Sequence, residues 1–268
     1  MAPPSAPPAP GSSLPPKALT VAGSDSGGGA GIQADLKTFQ ALGVYGASVI
    51  TAITAQNTLG VQGAWPVEPD MVAHQLDSVL RDIGADAIKT GMLAQAATVE
   101  VIAERLRGVA LVVDPVLVST SGRMLLEPEA IGVLKQKLLP LTLVVTPNIP
   151  EAEALTGLAD PRNAARALHD LGARYVVVKG GHKVGDADDL LFDGSAFHVF
   201  PGERIDTPHT HGTGCTFSAA ITAGLARGLD VPAAVARAKR FITAALRQAQ
   251  PIGGGISPVN HAPADWDE

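Results

Sequence analysis

Residues 209–220 read HTHGTGCTFSAA. Gly212 and Gly214 flank Thr213, the protein's only cysteine follows as Cys215, and a small apolar run of helical character comes next. A glycine-rich turn entering a helix presents backbone N–H groups that have no helical partner. The helix dipole adds partial positive charge there, so such a stretch can hold an anion. A cysteine in that place would have a lowered pKa and could act as thiolate or base. Gly212 and Gly214 equally suit a tight turn, with Cys215 a small buried hydrophobe. The two readings stand side by side until the rest of the chain is considered.

Other polar groups fall into similar places. Five glycines lie between Gly23 and Gly31, directly after an apolar segment, which suits close approach of backbone to a ligand as well as a flexible turn. Asp35 follows in the first turn of the next helix, where it either compensates the dipole or faces a pocket as an acceptor. Asn148-x-x-Glu151 can start a helix, or can serve a magnesium-phosphate site with Glu151 acting through water. Lys179 ends a Val-rich segment, a costly place for an unpaired charge, so it calls for a phosphate or an internal ion pair. His182, His209 and His211 lack metal-ligand spacing and read as loop residues, with His211 able to line a pocket. Gly29-x-Gly31-x-x-Ala34 has the form of a dinucleotide fingerprint, but Gln56 stands where the ribose-binding acid is required. That excludes a nicotinamide site, and the absence of Gly-x-x-x-x-Gly-Lys-Ser/Thr excludes a P-loop.

The elements that must position these groups alternate. Residues 17–22, 47–55, 87–90, 109–113, 141–146 and 175–179 are predicted strands. Residues 32–42, 69–83, 98–106, 128–138, 151–156 and 162–171 are predicted helices, and 215–226 and 231–249 close the chain as helices. Residues 190–192 and 196–200, split by Asp193-Gly194, read as a hairpin. The pattern implies an α/β fold with a mostly parallel sheet covered on both faces, plus a small antiparallel hairpin near the C-terminal part. Every polar cluster falls at the carboxyl end of a strand, where ligands bind in such sheets.

Composition narrows the function. The chain has 268 residues, a net charge of -6 and no long basic run, which argues against nucleic acid or an anionic membrane as partner. Hydrophobic residues make up 46% and aromatics 4%, so Ala, Val, Leu and Gly must build the core. No apolar run is long enough for a membrane span. A single cysteine cannot form an internal disulfide, which points to the cytoplasm. Residues 1–16 are Pro/Ala/Ser-rich and read as a disordered tail rather than a signal peptide. Residues 17–262 form one domain, and 263–268 a loose tail in which Trp266 could dock.

Residues 22–37 (AGSDSGGGAGIQADLK) resemble the N-terminal signature of the hydroxymethylpyrimidine/phosphomethylpyrimidine kinases, the thiamin-biosynthesis family of the ribokinase-like superfamily. Ala55-Gln56-Asn57-Thr58, Lys89-Thr90-Gly91-Met92-Leu93, Asp114-Pro115-Val116, residues 146–152 (TPNIPEA), Lys179-Gly180-Gly181-His182 and residues 209–218 extend the resemblance in order from about residue 17 to 261. It implies a three-layer α/β/α ribokinase-like fold and Mg-ATP-dependent phosphorylation of a hydroxymethyl group and then of the monophosphate. It implies that Ala30, Asp35, Gln56, Met92 and Val116 line the pyrimidine pocket. Asn148, Lys179, Thr213 and Gly214 would bind ATP, and Glu151 would serve Mg²⁺ through water. Gly212, Thr213 and Gly214 would form the anion hole, with Cys215 as the catalytic residue. The family also suggests a homodimer. Most of the superfamily has aspartate where Cys215 stands, and His209 replaces an acid that some relatives carry near a monovalent-cation site. A vitamin-B6 kinase on the same scaffold is the nearer rival, and a non-catalytic pyrimidine sensor is the rival outside enzymes. An amide at Gln56 can donate to and accept from an aminopyrimidine edge, which favours the pyrimidine.

Overall fold

The strands are runs of Val, Ile, Leu and Ala, buried on both faces in the middle of the sheet, and less apolar, more exposed segments at its edges. They are β1 (Lys17–Asp25), β2 (Tyr45–Asn57), β3 (Gly60–Pro66), β4 (Ala87–Thr90), β5 (Ala110–Val113), β6 (Val144–Val145), β7 (Tyr175–Val178), β8 (Asp189–Phe192) and β9 (Phe197–Phe200). The helices are α1 (Gly31–Ala41), α2 (Pro69–Asp82), α3 (Ala96–Arg105), α4 (Pro128–Val133), α5 (Ile149–Thr156), α6 (Pro161–Asp170), α7 (Thr213–Ala226) and α8 (Val231–Arg247). The computed structural model describes residues 14–118, 122, 124–180 and 187–267. The tail expected over residues 1–16 lies mostly outside them, as does His182.

The strands form one sheet in the order β3-β2-β1-β4-β5-β6-β7-β8-β9. β1, β2 and β4 to β7 pair in parallel. β3, β8 and β9 run antiparallel to their neighbours. Successive strand residues point to opposite faces. Leu111, Val113, Val145, Val176 and Val178 enter the core shared with α2 to α6, whereas Val112, Val144 and Val177 enter the core under α1, α7 and α8. Each fully buried Val, Leu or Ile contributes on the order of 1.5–3 kcal/mol of transfer free energy. The result is the expected three-layer α/β/α arrangement.

The sheet is wider than the sequence suggested. β3 was not expected, because Gly60–Pro66 has no apolar run; it is an edge strand, paired only to β2, where Gly and Pro are tolerated. The expected helix over 128–138 is α-helical to Val133, widens into a π turn over Leu134–Leu138 and tightens only afterwards, in a 3₁₀ turn (Leu139–Leu141). Asp160 and Asp230 cap α6 and α8 by accepting from Asn163 N and Ala233 N, with Pro161 the first residue of α6 and Pro232 the second of α8. Trp266 does dock, its ring edge-on to Phe241 at 5.0 Å and under the Arg237 guanidinium at 4.9 Å. Among the described residues, no helix is long and apolar enough to cross a membrane.

β1 lies between β2 and β4, so the chain moves one way across the sheet after β1 and the other way after β3. Such a reversal leaves a crevice at the carboxyl ends of the strands.

Candidate active site

A cavity of about 670 Å³ fills that crevice. Its wall brings together Ala30, Gln56, Met92, Val116, Asn148, Glu151, Lys179, Gly212, Thr213, Gly214 and Cys215. Asp35 is not on it.

At one corner Gly212 caps α7 with φ 78, a left-handed conformation that suits glycine. A Cβ at Gly212 would run into the carbonyl oxygen of Gly29, so the α7 turn and the glycine loop after β1 meet backbone to backbone. The first-turn N–H groups of Gly214 and Cys215 have no helical acceptor and face the cavity end of α7. Thr213 instead holds the turn: its hydroxyl donates to Thr210 O at 2.7 Å.

Cys215 is half-buried on the cavity wall. Burial pushes its thiol up to about 11; Asp35 and Asp114 add to the rise, while the Lys89 charge and the Gly31 N–H oppose it. This corrects the lowered pKa expected from a helix N-terminus. Desolvation and two nearby carboxylates outweigh the dipole, and the ligand-free protein carries a protonated thiol at neutral pH.

Beside this corner lies a buried charge cluster. Lys179 Nζ donates to Asp114 Oδ1 at 2.7 Å and stands 3.8 Å from Glu151 Oε2. Asp114 also accepts from Thr146 Oγ1 at 3.2 Å and Ser218 Oγ at 3.1 Å. Burial would disfavour both charges, but Lys179 and Lys89 hold the Asp114 carboxyl below its ordinary value, and Asp114 and Glu151 hold Lys179 above its own. Glu151 differs: burial pushes it up to about 7, Lys179 opposes, and Asp114 adds to the rise. Asn148 and Glu151 form a capping box on α5, Glu151 N donating to Asn148 Oδ1 and Asn148 N to Glu151 Oε2, both at 2.8 Å. The helix-start role of Asn148-x-x-Glu151 is therefore present, and both side chains also reach the cavity.

A second hub was invisible as such in the sequence. Asp25 accepts from Gly27 N at 2.8 Å, Gly29 N at 3.0 Å and Ala30 N at 2.8 Å, and from His211 Nε2 at 2.9 Å. Burial pulls Asp25 up, but His211 and the loop N–H groups prevail and hold it below the usual carboxylate range. His211 thus sits in the site, with the Gln56 amide 3.2 Å from the same ring nitrogen. The available signal was an Asp at a strand end followed by glycines, the pattern of a side chain folding its own turn.

Asp35 corrects another expectation. It is fully buried in α1, away from the cavity, with Lys89 Nζ at 2.6 Å on Oδ1 and Thr20 Oγ1 at 2.6 Å on Oδ2. Its partner Lys89, on β4, lies on the cavity wall instead. Among the described residues, no three His, Cys, Asp or Glu side chains gather as a metal cage.

The chain matches the family model described as phosphomethylpyrimidine kinase over residues 25–260. It is 53% identical over 254 residues to the hydroxymethylpyrimidine/phosphomethylpyrimidine kinase of Streptomyces coelicolor, covering 92% of this chain and 94% of that one. It is 58% identical over 258 residues to the thiamine biosynthesis bifunctional protein ThiED of Geobacter sulfurreducens, covering 93% of this chain but 53% of that longer protein. Among solved structures, the ADP complex of Bacillus subtilis pyridoxal kinase is similar with a TM-score of 0.86 and 44% identity, covering 93% of this chain and 98% of that one.

Proposed function

The chain belongs to the phosphomethylpyrimidine kinase family, and from that membership we propose how its residues divide the reaction. The acceptor is hydroxymethylpyrimidine and then its monophosphate, the donor is ATP, and the product is the pyrophosphate used in thiamin biosynthesis. One observation carries the reading. A small polar-apolar pocket (Gln56, Met92, Val116, Ala30) and a cationic, N–H-rich corner (Lys179, Gly214, Cys215) share one cavity.

Phosphoryl transfer needs in-line alignment and neutralisation of the moving phosphoryl charge more than covalent help. The acceptor hydroxyl oxygen forms a bond to the γ-phosphorus, and the bond to the β,γ-bridging oxygen breaks as ADP leaves. The thiol, protonated in the free protein, first gives its own proton to solvent, and the resulting thiolate sulfur takes the hydroxyl proton. The N–H groups of the Gly212–Cys215 turn and the Lys179 ammonium meet the equatorial phosphoryl oxygens. Thr213 keeps that turn in shape through Thr210, and Asn148 orients the nucleotide side of the cavity. Mg²⁺ accompanying ATP would neutralise phosphate charge, and Glu151 would hold it through water. A buried carboxylate that ionises near neutrality, without a full protein cage, fits an ion that keeps its waters. The protein acts in the cytoplasm as a homodimer. Ile53 and Trp65, neighbours on β2 and β3 that are 56% and 62% exposed, offer an apolar face for a second copy.

The likeness to a pyridoxal kinase makes pyridoxal the competing acceptor. Incubation with Mg-ATP and hydroxymethylpyrimidine, followed by mass spectrometry, should show one and then a second phosphoryl group added. ADP formation no faster than in the acceptor-free control would refute the assignment.

A further inference from the structure

Three lysines line the cavity; Lys239 is held by Asp189 at 2.7 Å and by the Ala187 carbonyl at 2.6 Å, and of the other two only Lys179 has work in the reaction as described. Lys89 is 0% exposed, yet it lies on the cavity wall. Its partner is fixed: Asp35 Oδ1 accepts from Lys89 at 2.6 Å while Oδ2 is held by Thr20 Oγ1 at 2.6 Å. An ammonium carries three N–H groups. Among the described residues one of them is engaged by a hydrogen bond, to Asp35. A buried ion pair is poor evidence of a stabilising purpose, since apolar residues of similar volume often serve a core as well.

The placement of α1 says more. Gly31 begins this helix, and its N–H reaches the Cys215 sulfur. Asp35 follows four residues later, on the same face. One helix therefore brings an N–H to the sulfur and fixes a cation beside it. Four charged groups act on Cys215: Lys89 from β4, Lys179 from the end of β7, Asp35 from α1 and Asp114 from the end of β5. Lys179 is shared between Asp114 at 2.7 Å and Glu151 at 3.8 Å, whereas Lys89 is paired with Asp35 alone, and Lys89 leads the charges that favour the Cys215 thiolate.

We propose that Lys89 is a positioning residue for phosphoryl transfer, its ammonium clamped by Asp35 so as to favour the anionic form of Cys215 when the acceptor hydroxyl gives up its proton. This rests on the reading of Cys215 as proton acceptor, and it gives Asp35 a role behind the pocket rather than in it.

Cys215 is the only cysteine, so alkylation by iodoacetamide reports this thiolate alone. At fixed pH 8.5, without ATP or acceptor, Lys89→Met should alkylate at least about tenfold more slowly than wild type, as expected for loss of a cation near an acid. Lys89→Arg should recover most of the rate. In turnover, Lys89→Met should lower kcat and leave the ATP KM unchanged. Should Lys89→Met fail to fold, the comparison moves to Lys89→Gln against Lys89→Arg, which differ in charge at the same position and keep Asp35; the Gln variant should alkylate at least about tenfold more slowly. An unchanged alkylation rate in either comparison overturns the proposal. Full kcat in Cys215→Ser would instead overturn the reading of Cys215 on which it rests.

Discussion

Glu151 offers the sharpest test of the electrostatics. Its side chain is buried beside Asp114, with Lys179 3.8 Å away and Asn148 N–H donating to Oε2. Burial pushes its pKa from an ordinary 4.5 up to about 7. The folded protein thus holds this proton more tightly than the unfolded chain does. The carboxyl's contribution to stability is complete below pH 4.5 and is lost as pH rises through about 7. At about 1.4 kcal/mol per tenfold in proton affinity, the loss comes to about 3 kcal/mol. Glu151→Gln mimics the protonated carboxyl and keeps an oxygen to accept from Asn148. Ligand-free wild type and variant should therefore melt together near pH 5 and diverge as pH rises. By pH 8 the variant should be the more stable by about 3 kcal/mol, or roughly 6–12 °C in Tm. The variant should also lose activity at every pH, because it cannot ionise to serve Mg-ATP. Thermal melts from pH 5 to 8.5 measure the divergence. A constant difference across that range would refute the assignment of a buried, proton-holding Glu151.

Two further outcomes follow from the geometry. Gly212→Ala adds about 1–2 kcal/mol of left-handed strain and presses on the Gly29 carbonyl, so melting should drop by several degrees and kcat by tenfold or more; unchanged melting and kcat would mean the two loops do not meet. Gln56→Ala should raise the pyrimidine KM about tenfold, the cost of about one lost hydrogen bond, and leave the ATP KM alone; steady-state kinetics in both substrates would expose an equal change in each.

The layered fold was legible because burial on both faces leaves a clear mark on a parallel strand, as in ALVV at Ala110–Val113 and YVVV at Tyr175–Val178. β3 was not, since an edge strand with one partner needs no such pattern. The cationic corner was legible from glycine spacing and from Lys179 ending an apolar strand. Its partner Asp114 was not, because 65 residues separate the two and only the sheet order brings β5 near β7. Asp35 was misread for the same reason. Its position in a first helical turn is visible, whereas the lysine 54 residues away that turns it inward is a tertiary fact. For Cys215 the local rule of a helix N-terminus gave the wrong direction, because desolvation and the carboxylates of α1 and β5 arrive from elsewhere in the chain.

The most direct measurement is ATP turnover with three acceptors side by side: hydroxymethylpyrimidine, its monophosphate and pyridoxal. The arrangement of Gln56 beside the Lys179 and Cys215 corner predicts a larger kcat/KM for both pyrimidines than for pyridoxal. A larger kcat/KM for pyridoxal would contradict it.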